Sequence, residues 1–398
     1  MKVLFISLLA FNSFDEPNIY TDLLREFIKN GHDVYSISPA ERRTGIQTHL
    51  EENGRLLRLK IGNTQKTNLI EKGVSTLMIE SQFISAIKKY FSDIKFDLIL
   101  YSTPPITFAN VVKFVKKRDG AKAYLMLKDI FPQNALDLGM MKKQGIKGLL
   151  YRYFRRKEKK LYALSDTIGC MSQANVDYLL AHNPEINKEK VEICPNCIEV
   201  SDRRVSDWER IELRQKYGIP TDKKVFVYGG NLGKPQDIPF IIRCLNACAE
   251  RDDIYFIIAG SGTDRHLLEK YINEEHPTHV KLFGQLPKSE YDSMIACCDV
   301  GLIFLDHRFT IPNFPSRLLS YMQAGLPVLA CTDVNSDIGQ VITAGGFGWW
   351  CESCDASNFL KIVSLIENDC LKEKGTIALA YVTKNYAAHC AYEVIAKR

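Results

Sequence analysis

The sequence predicts an α/β fold of two Rossmann-like domains facing a cleft, and three observations predict it. Short apolar runs alternate with helix-length amphipathic stretches through the first half. The same alternation restarts near Lys224. A chain of 398 residues is also longer than one ordinary core accommodates, so two domains of similar size are expected. Strands separated by helices need crossover connections, which makes the sheets parallel and covers both their faces.

In the first half, Val3 to Leu9 reads as a buried strand that runs into a polar loop. Asn18 to Asn30 carries Ile19, Leu23, Leu24, Phe27 and Ile28 at helical spacing and stops at Gly31, a C-terminal cap. A strand follows over Asp33 to Ser38, a helix over Leu77 to Phe91 and a strand over Asp97 to Tyr101. Phe108 to Lys117 is a helix and Ala121 to Leu127 a strand. The second half opens with Lys224-Val-Phe-Val-Tyr-Gly-Gly230, a strand entering a glycine turn, then a helix over Asp237 to Ala249. Ile254 to Ala259 runs into Gly260-Ser261-Gly262, and His279 to Phe283, Val300 to Phe304 and Leu326 to Ala330 are further strands. Helices are expected at Lys288 to Ala296 and Ser316 to Ala324. The polar stretch Glu199 to Tyr217 reads as the boundary, giving domains of 1–200 and 218–378. A last helix from about Lys372 needs a surface to cover, and its final turns, about 380–398, are assigned back to the first domain. No repeat or low-complexity tract interrupts the pattern.

Apolar residues at 46% and charged residues at 25% are the balance of a folded protein. A net charge of +5 is too mild to argue for nucleic acid. The opening Met1-Lys-Val-Leu-Phe-Ile-Ser-Leu-Leu-Ala-Phe11 is too short to span a bilayer and has no small-residue cleavage site after it, so a cytoplasmic protein is expected. Its twelve cysteines should then be reduced. Cys194/Cys197 and Cys351/Cys354 have CxxC spacing, but one zinc ion would need all four brought together from distant segments. Ordinary buried thiols are the better reading.

Two segments carry chemistry. In Tyr228-Gly-Gly-Asn-Leu-Gly-Lys-Pro-Gln236, Gly229 and Gly230 let the backbone approach a ligand, Asn231 offers an amide and Lys234 a point charge suited to a diphosphate. A plain tight turn beside a solvated lysine has the same composition. In Ile311-Pro-Asn-Phe-Pro-Ser-Arg317, Pro315 pre-sets a helix start and Ser316 is placed to cap it. The free N–H groups of that turn, with Arg317, form an anion site. A capped helix with a surface arginine is the alternative. Both segments fall at strand ends of the same sheet, where ligands of such folds bind.

Gly229 to Gln236, Ala259-Gly-Ser-Gly262, Leu282-Phe-Gly284-Gln285, Cys298-Asp-Val300 and Pro315 to Val328 run in the order and spacing of glycosyltransferase family 4, which this domain resembles along its length. Gly31-His-Asp-Val34, Lys128-Asp-Ile-Phe-Pro-Gln133 and Pro195-Asn196 extend the likeness, and the whole is similar to the bacterial O-antigen and capsule branch. That branch includes transferases of N-acetylated deoxy-sugars. The resemblance implies a GT-B fold and retaining transfer from a nucleoside-diphosphate sugar. It implies no cofactor and no bound metal. It places Gly229, Gly230, Asn231, Lys234, Gly260, Gly262, Gly284, Asn313, Phe314, Pro315, Ser316, Arg317 and Ser320 at the donor. The chain departs from the family at an acidic pair expected before Gly325, where it has Pro312 and Ser320, and Asn231 stands for the usual arginine of the first glycine turn. These departures leave the identity of the sugar open.

Asp129 follows a strand and precedes Ile130-Phe-Pro132, so it should lie at the cleft mouth, where it can act as a base toward an acceptor or simply cap a turn. Asn12, Tyr20 and Gln133 are assigned to the acceptor side, although a solvated loop is the commoner fate of such residues. From Lys142 to Lys160 nine Lys or Arg residues face one acid, Glu158, with Leu150, Tyr153, Phe154 and Leu161 at helical spacings. Such a helix, with Arg152, Arg155, Arg156 and Lys159 outward, either lies on an anionic membrane surface or is a solvated face over a core stripe. Membrane contact suits a lipid-linked glycan acceptor in surface polysaccharide synthesis. A nucleotide-sugar epimerase shares the architecture but needs acids and bases around the sugar, and Pro312 and Ser320 supply none. A catalytically inactive nucleotide-sugar-binding partner is the non-enzymatic alternative.

Overall fold

A computed structural model describes residues 1–64 and 69–398. The chain divides into two compact units, Met1–Glu199 with Ala388–Arg398, and Val200–Ala387.

The first unit holds strands β1 (Lys2–Ile6), β2 (Asp33–Glu41), β3 (His49–Glu51), β4 (Leu56–Ile61), β5 (Leu98–Ser102), β6 (Lys122–Leu127), β7 (Thr167–Cys170) and β8 (Val191–Ile193). Their order in the sheet is β3-β4-β2-β1-β5-β6-β7-β8. Every pairing is parallel except β3 on β4. Val3 to Ile6 and Ile99 to Tyr101 are wholly buried, because helices cover both faces. The helices are α1 (Thr21–Lys29), α2 (Leu69–Tyr90), α3 (Ala109–Asp119), α4 (Gln133–Asp137), α5 (Gly145–Leu164) and α6 (Gln173–His182). α1 ends as expected, with Gly31 in the left-handed region at φ +77°. α2 begins eight residues before the expected Leu77. Its early apolar residues Val74, Leu77 and Met78 are exposed and leave no core-facing periodicity to read. The connections β4→β5, β5→β6 and β6→β7 advance in one direction along the sheet, so right-handed crossovers place α2, α3 and α5 on one face.

The second unit is a six-stranded parallel sheet of β9 (Lys224–Asn231), β10 (Ile254–Ser261), β11 (Val280–Phe283), β12 (Val300–Phe304), β13 (Val328–Thr332) and β14 (Gly348–Glu352), in the order β11-β10-β9-β12-β13-β14. Its helices are α7 (Asp207–Tyr217), α8 (Ile238–Ala247), α9 (Arg265–Glu275), α10 (Lys288–Ala296), α11 (Arg317–Gln323), α12 (Ile338–Ala344), α13 (Ala356–Ile366) and α14 (Leu371–Asn385). α7 occupies the stretch read as a boundary. Ser206 and Glu209 form a capping box at its start, and Arg214 reaches Asp299 at 2.7 Å, which fastens the helix to this unit rather than leaving a linker. The helix expected from Lys372 to the end is two helices. α14 stops at Asn385, and α15 (Ala388–Ala396) belongs to the first unit. There Tyr392 packs edge-on against Phe27 at 4.9 Å and its hydroxyl meets His32 Nε2 at 2.9 Å, so His32 is a packing residue.

All twelve cysteines are free, and Cys194, Cys197 and Cys351 are buried. No helix among the described residues is long and apolar enough to cross a membrane.

Candidate active site

The carboxyl end of β9 is the centre of the second unit's site. The register pairs Gly229 with Ala259, Gly230 with Gly260 and Asn231 with Ser261. Gly230 and Gly260 hold φ of +135° and +149°, and a Cβ on Gly260 would lie 1.9 Å from the Gly230 carbonyl oxygen. Only glycine permits this approach. Gly262 is likewise pressed against the Leu232 backbone. Arg265, which the sequence reading passed over, donates from Nη1 to the carbonyls of Gly260 (2.7 Å) and Phe283 (2.6 Å), tying the ends of β10 and β11 together. Gly284 is exposed with open space where a Cβ would go, so nothing in the fold requires glycine there.

The two glycines of β9 do different work. The Gly229 N–H donates to Tyr321 Oη at 3.2 Å, and the Tyr291 ring lies where a Gly229 side chain would be. Gly230 is exposed, and the Arg317 guanidinium lies against it, 3.2 Å from the ideal Cβ position to Cζ. The guanidinium stacks 4.4 Å above the Tyr228 ring. Its Nη1 is shut off from solvent and has no hydrogen-bond partner. Burial pushes Tyr321 up to about 12 and raises Tyr228 as well, so neutral phenols surround the cation. Asn231 spends its Nδ2 on Gln236 Oε1 at 2.7 Å, which leaves less of the amide for a ligand than expected. Lys234 is exposed in the turn Lys234–Gln236.

The loop 305–316 brings Asn313 to Ser316 to the same strand ends. α11 begins at Arg317 and has seven residues. Ser316 does not cap it: its backbone is already helical (φ −64°, ψ −19°), whereas a capping side chain needs an extended backbone to reach back. Phe314 is buried with its ring 5.9 Å from that of Tyr386, Pro315 is half-buried, and Ser320, at one missing carboxylate position, is half-buried on α11. Pro312, at the other, is buried. A clasp absent from the sequence reading holds the loop. Asp333 accepts from the N–H groups of Asn335 (2.9 Å) and Ser336 (2.8 Å) and from Ser336 Oγ (2.9 Å). Ser336 Oγ in turn accepts from the Asn313 N–H at 2.8 Å, and Asn335 Nδ2 donates to the Phe309 carbonyl at 2.6 Å. Asp237, Asp306 and His307 bring ligand-type atoms within 4.8 Å of one another, but Asp306 is already engaged bidentately by Arg308.

In the first unit, Asp129 follows β6 and is half-buried. Its carboxylate accepts from Asn134 Nδ2 at 2.9 and 2.8 Å, and Thr103 Oγ1 donates to its carbonyl at 3.0 Å. Burial pushes its carboxyl up to about 6, against the lowering effect of the Ile130 N–H and Asn134. The acceptor-side residues are mostly occupied. Tyr20 is buried with its ring on Phe5 at 5.2 Å. Gln133 donates to Asp137 and accepts from Tyr151 Oη at 3.0 Å. Asn12 is exposed but bonds Glu16 and accepts from Arg58 Nη1 at 2.7 Å.

The four cations assigned to a membrane face divide. Arg152 and Arg156 are exposed. Arg155 is half-buried, paired with Glu158 at 2.5 Å and bonded to the His182 carbonyl and Asn183, and Lys159 pairs with Glu185 at 2.9 Å. Arg155 is drawn inward by acceptors at the end of α6, whereas Lys159 and its partner Glu185 both stay exposed.

Comparison with known proteins gives these positions a context. Residues 209–378 match the model for glycosyl transferases group 1, and residues 18–202 that for glycosyltransferase family 4. A Pseudomonas aeruginosa protein named as a probable glycosyltransferase, WbjE, is 24% identical over 343 residues, 85% of this chain and 82% of that protein. The Escherichia coli K12 protein WcaI, named for colanic acid biosynthesis and glycosyl transfer, is 23% identical over 249 residues, 62% of this chain and 60% of its own. The crystal structure of Anabaena HepE in complex with UDP superposes with a TM-score of 0.69 at 16% identity, covering 100% of this chain and 99% of that one.

Proposed function

The chain belongs to the family 4 glycosyltransferases of the GT-B fold, and from that premise we propose a retaining transfer from a nucleoside-diphosphate sugar to a lipid-linked glycan. One observation carries the donor assignment. Arg317 presents a buried, unpartnered Nη1 against the exposed Gly230, with no counter-ion among the described residues. A buried charged donor without an acceptor is costly, so the arrangement is complementary to an anion arriving from solvent. A diphosphate fits, because Lys234 adds a second positive charge from the adjoining turn. The HepE crystal structure is a complex with UDP, and WcaI is named for colanic acid biosynthesis, which supports a nucleotide-sugar donor and a bacterial glycan product.

In this reading Arg317 and Lys234 stabilise the charge that builds on the departing diphosphate, and no metal or cofactor is required. Asp129 takes the proton of the acceptor hydroxyl, a task its carboxyl, at about 6, performs at neutral pH. Pro312 and Ser320 leave the donor sugar without two carboxylates, so its hydroxyls are read by other groups.

The test is a calorimetric panel of UDP-, GDP- and dTDP-sugars followed by transfer to lipid extracted from bacterial membranes. One donor should bind, and Arg317→Ala should weaken it by about 10- to 100-fold, the range expected for a lost charge-assisted contact. The product's anomeric configuration, read by NMR, should match the donor's. Unchanged affinity in Arg317→Ala sinks the donor site. Inverted product sinks the retaining mechanism, and sugar interconversion without acceptor points to an epimerase.

A further inference from the structure

Lys128 is a cation of the first unit without a counter-ion among the described residues. It is the first residue after β6, and its N–H donates to Thr103 Oγ1 at 3.0 Å, just past the end of β5. The register sets Leu127 opposite Cys170, and the Cys194 N–H donates to the Cys170 carbonyl at 2.7 Å. Lys128 therefore emerges at the carboxyl edge of the sheet beside the ends of β7 and β8. The ionisable groups around its amine are the thiols of Cys170, Cys194 and Cys197. Burial pushes Cys170 and Cys197 up to about 12 and raises Cys194 as well, so all three stay neutral. Desolvation lowers the amine itself.

The acids near this edge are engaged elsewhere. Asp129 accepts from Asn134 at 2.9 and 2.8 Å. Asp22 of α1, which faces Cys197, takes Arg25 at 2.6 Å and the Glu199 N–H at 2.9 Å. Glu192 of β8 takes Tyr124 Oη at 2.8 Å and Arg398 Nε at 2.7 Å. A lysine that only lays its methylenes on a core carries its amine out to open water. Lys128 instead holds a desolvated amine among thiols, yet the residue is half-buried, so a ligand from solvent can reach it. The place is also one where ligands bind. The strand order reverses between β1 and β5, and β6 is the second strand on one side of that crevice.

We propose that Lys128 forms an anion subsite for the acceptor, its ammonium pairing with a phosphate or carboxylate carried by the molecule that receives the sugar. A compact point charge suits either group, and the arriving anion supplies the counter-ion that the fold withholds. Asp129 is the next residue, so an acceptor anchored on Lys128 is held at the base proposed above. The identity of the ligand rests on the transferase reading, but the pairing is measurable without transfer.

Calorimetry on the full chain saturated with UDP reads the subsite with inorganic pyrophosphate, glucuronate and glucose as probes. At least one anionic probe should bind, and glucose should not. Lys128→Met and Lys128→Gln should each weaken that anion by about tenfold or more, the range for a lost charge-assisted contact. UDP affinity, circular dichroism and melting temperature should hold in both, because each replacement keeps much of the stem and removes an uncompensated charge. Pyrophosphate binding alone assigns the subsite to a lipid diphosphate, and glucuronate binding alone to an acidic sugar unit. In the unaltered protein, glucuronate binding, where present, should fade with rising pH before the ordinary lysine value of 10.5 is reached. The proposal is overturned if neither anion binds at low salt, or if both variants bind it as tightly as the unaltered protein. In transfer, the acceptor KM should rise about tenfold in Lys128→Met while the donor KM holds. Anion binding that depends on Lys128 in a protein that binds no UDP and transfers no sugar would keep the subsite and count against the proposed function instead.

Discussion

A guanidinium nitrogen enclosed without an acceptor costs roughly 1–3 kcal/mol, and at Arg317 that cost falls on the unliganded protein. Arg317→Met keeps the contact with the Tyr228 ring and removes the unsatisfied charge. The unliganded variant should be more stable by about 1 kcal/mol in urea titrations, while donor binding disappears. A loss of stability would mean that the guanidinium serves the fold rather than a ligand. Asp129 gives a prediction of a different kind, because burial raises its carboxyl from 3.8 to about 6. A raised acid favours the protonated folded state, so its contribution is complete below 3.8 and is lost as pH rises through about 6. A rise from 3.8 to about 6 corresponds to about 3 kcal/mol at most. Asp129→Asn should therefore raise the melting temperature at pH 8 and leave it unchanged at pH 3. In the unaltered enzyme kcat/KM should fall below about pH 6 as the base is protonated. An acid limb near pH 4 would remove Asp129 from that role.

The loop 305–316 has little secondary structure of its own, and its position depends on the turn after β13. Asp333→Asn keeps an acceptor for the N–H groups of Asn335 and Ser336 but presents an amide to Ser336 Oγ, which now donates to the carboxylate. The Asn313 N–H loses its fixed acceptor, so the donor KM should rise about tenfold with kcat nearly unchanged, one hydrogen bond's worth of positioning. Ser336→Ala should do the same, and the double variant should be no worse than either single one. Additive losses would show two separate contributions instead of one clasp. This element also marks what sequence can and cannot display. The turn after β9 is legible because glycines directly follow an apolar run, and the fold then uses them at φ +135° and +149°. The cation's surroundings are not: Tyr228, Tyr291 and Tyr321 come from β9, α10 and α11, and no local pattern records their meeting. The clasp is hidden for the same reason, because Asp333 and Asn313 lie 20 residues apart on opposite sides of a helix and strand. α7 is the opposite case. Its Ser206-Asp-Trp-Glu209 capping box was present to be read, but the polar composition around it suggested a linker.

At the scale of the whole chain, the first unit is discontinuous: it closes only when Ala388–Arg398 returns to it after the entire second unit. α15 buries Ala391 and Ile395 in the core that includes Phe27 and Leu24, and Arg398 Nε reaches Glu192 at 2.7 Å. Each buried side chain of the Ile395 size contributes about 1.5–3 kcal/mol, and deleting the helix also exposes the surface beneath it on α1. Against a typical domain stability of about 5–15 kcal/mol, that loss is large enough to leave the first unit partly unfolded at 37 °C. Among the described residues, the core cluster around β9, β10 and β12 of the second unit includes none of these. Deleting residues 388–398 should therefore give two thermal transitions where the intact chain gives closer ones, the earlier belonging to the first unit. Hydrogen exchange assigns them: β1 and β2 should lose protection while β9 and β12 keep it, and donor affinity, which the proposed site places in the second unit, should survive at low temperature. Equal loss of protection in both units would mean that they unfold as one body, and the terminal helix would then stabilise the molecule rather than its first half. The same discontinuity makes the first unit the later to finish during synthesis, since its last helix leaves the ribosome after every residue of the second.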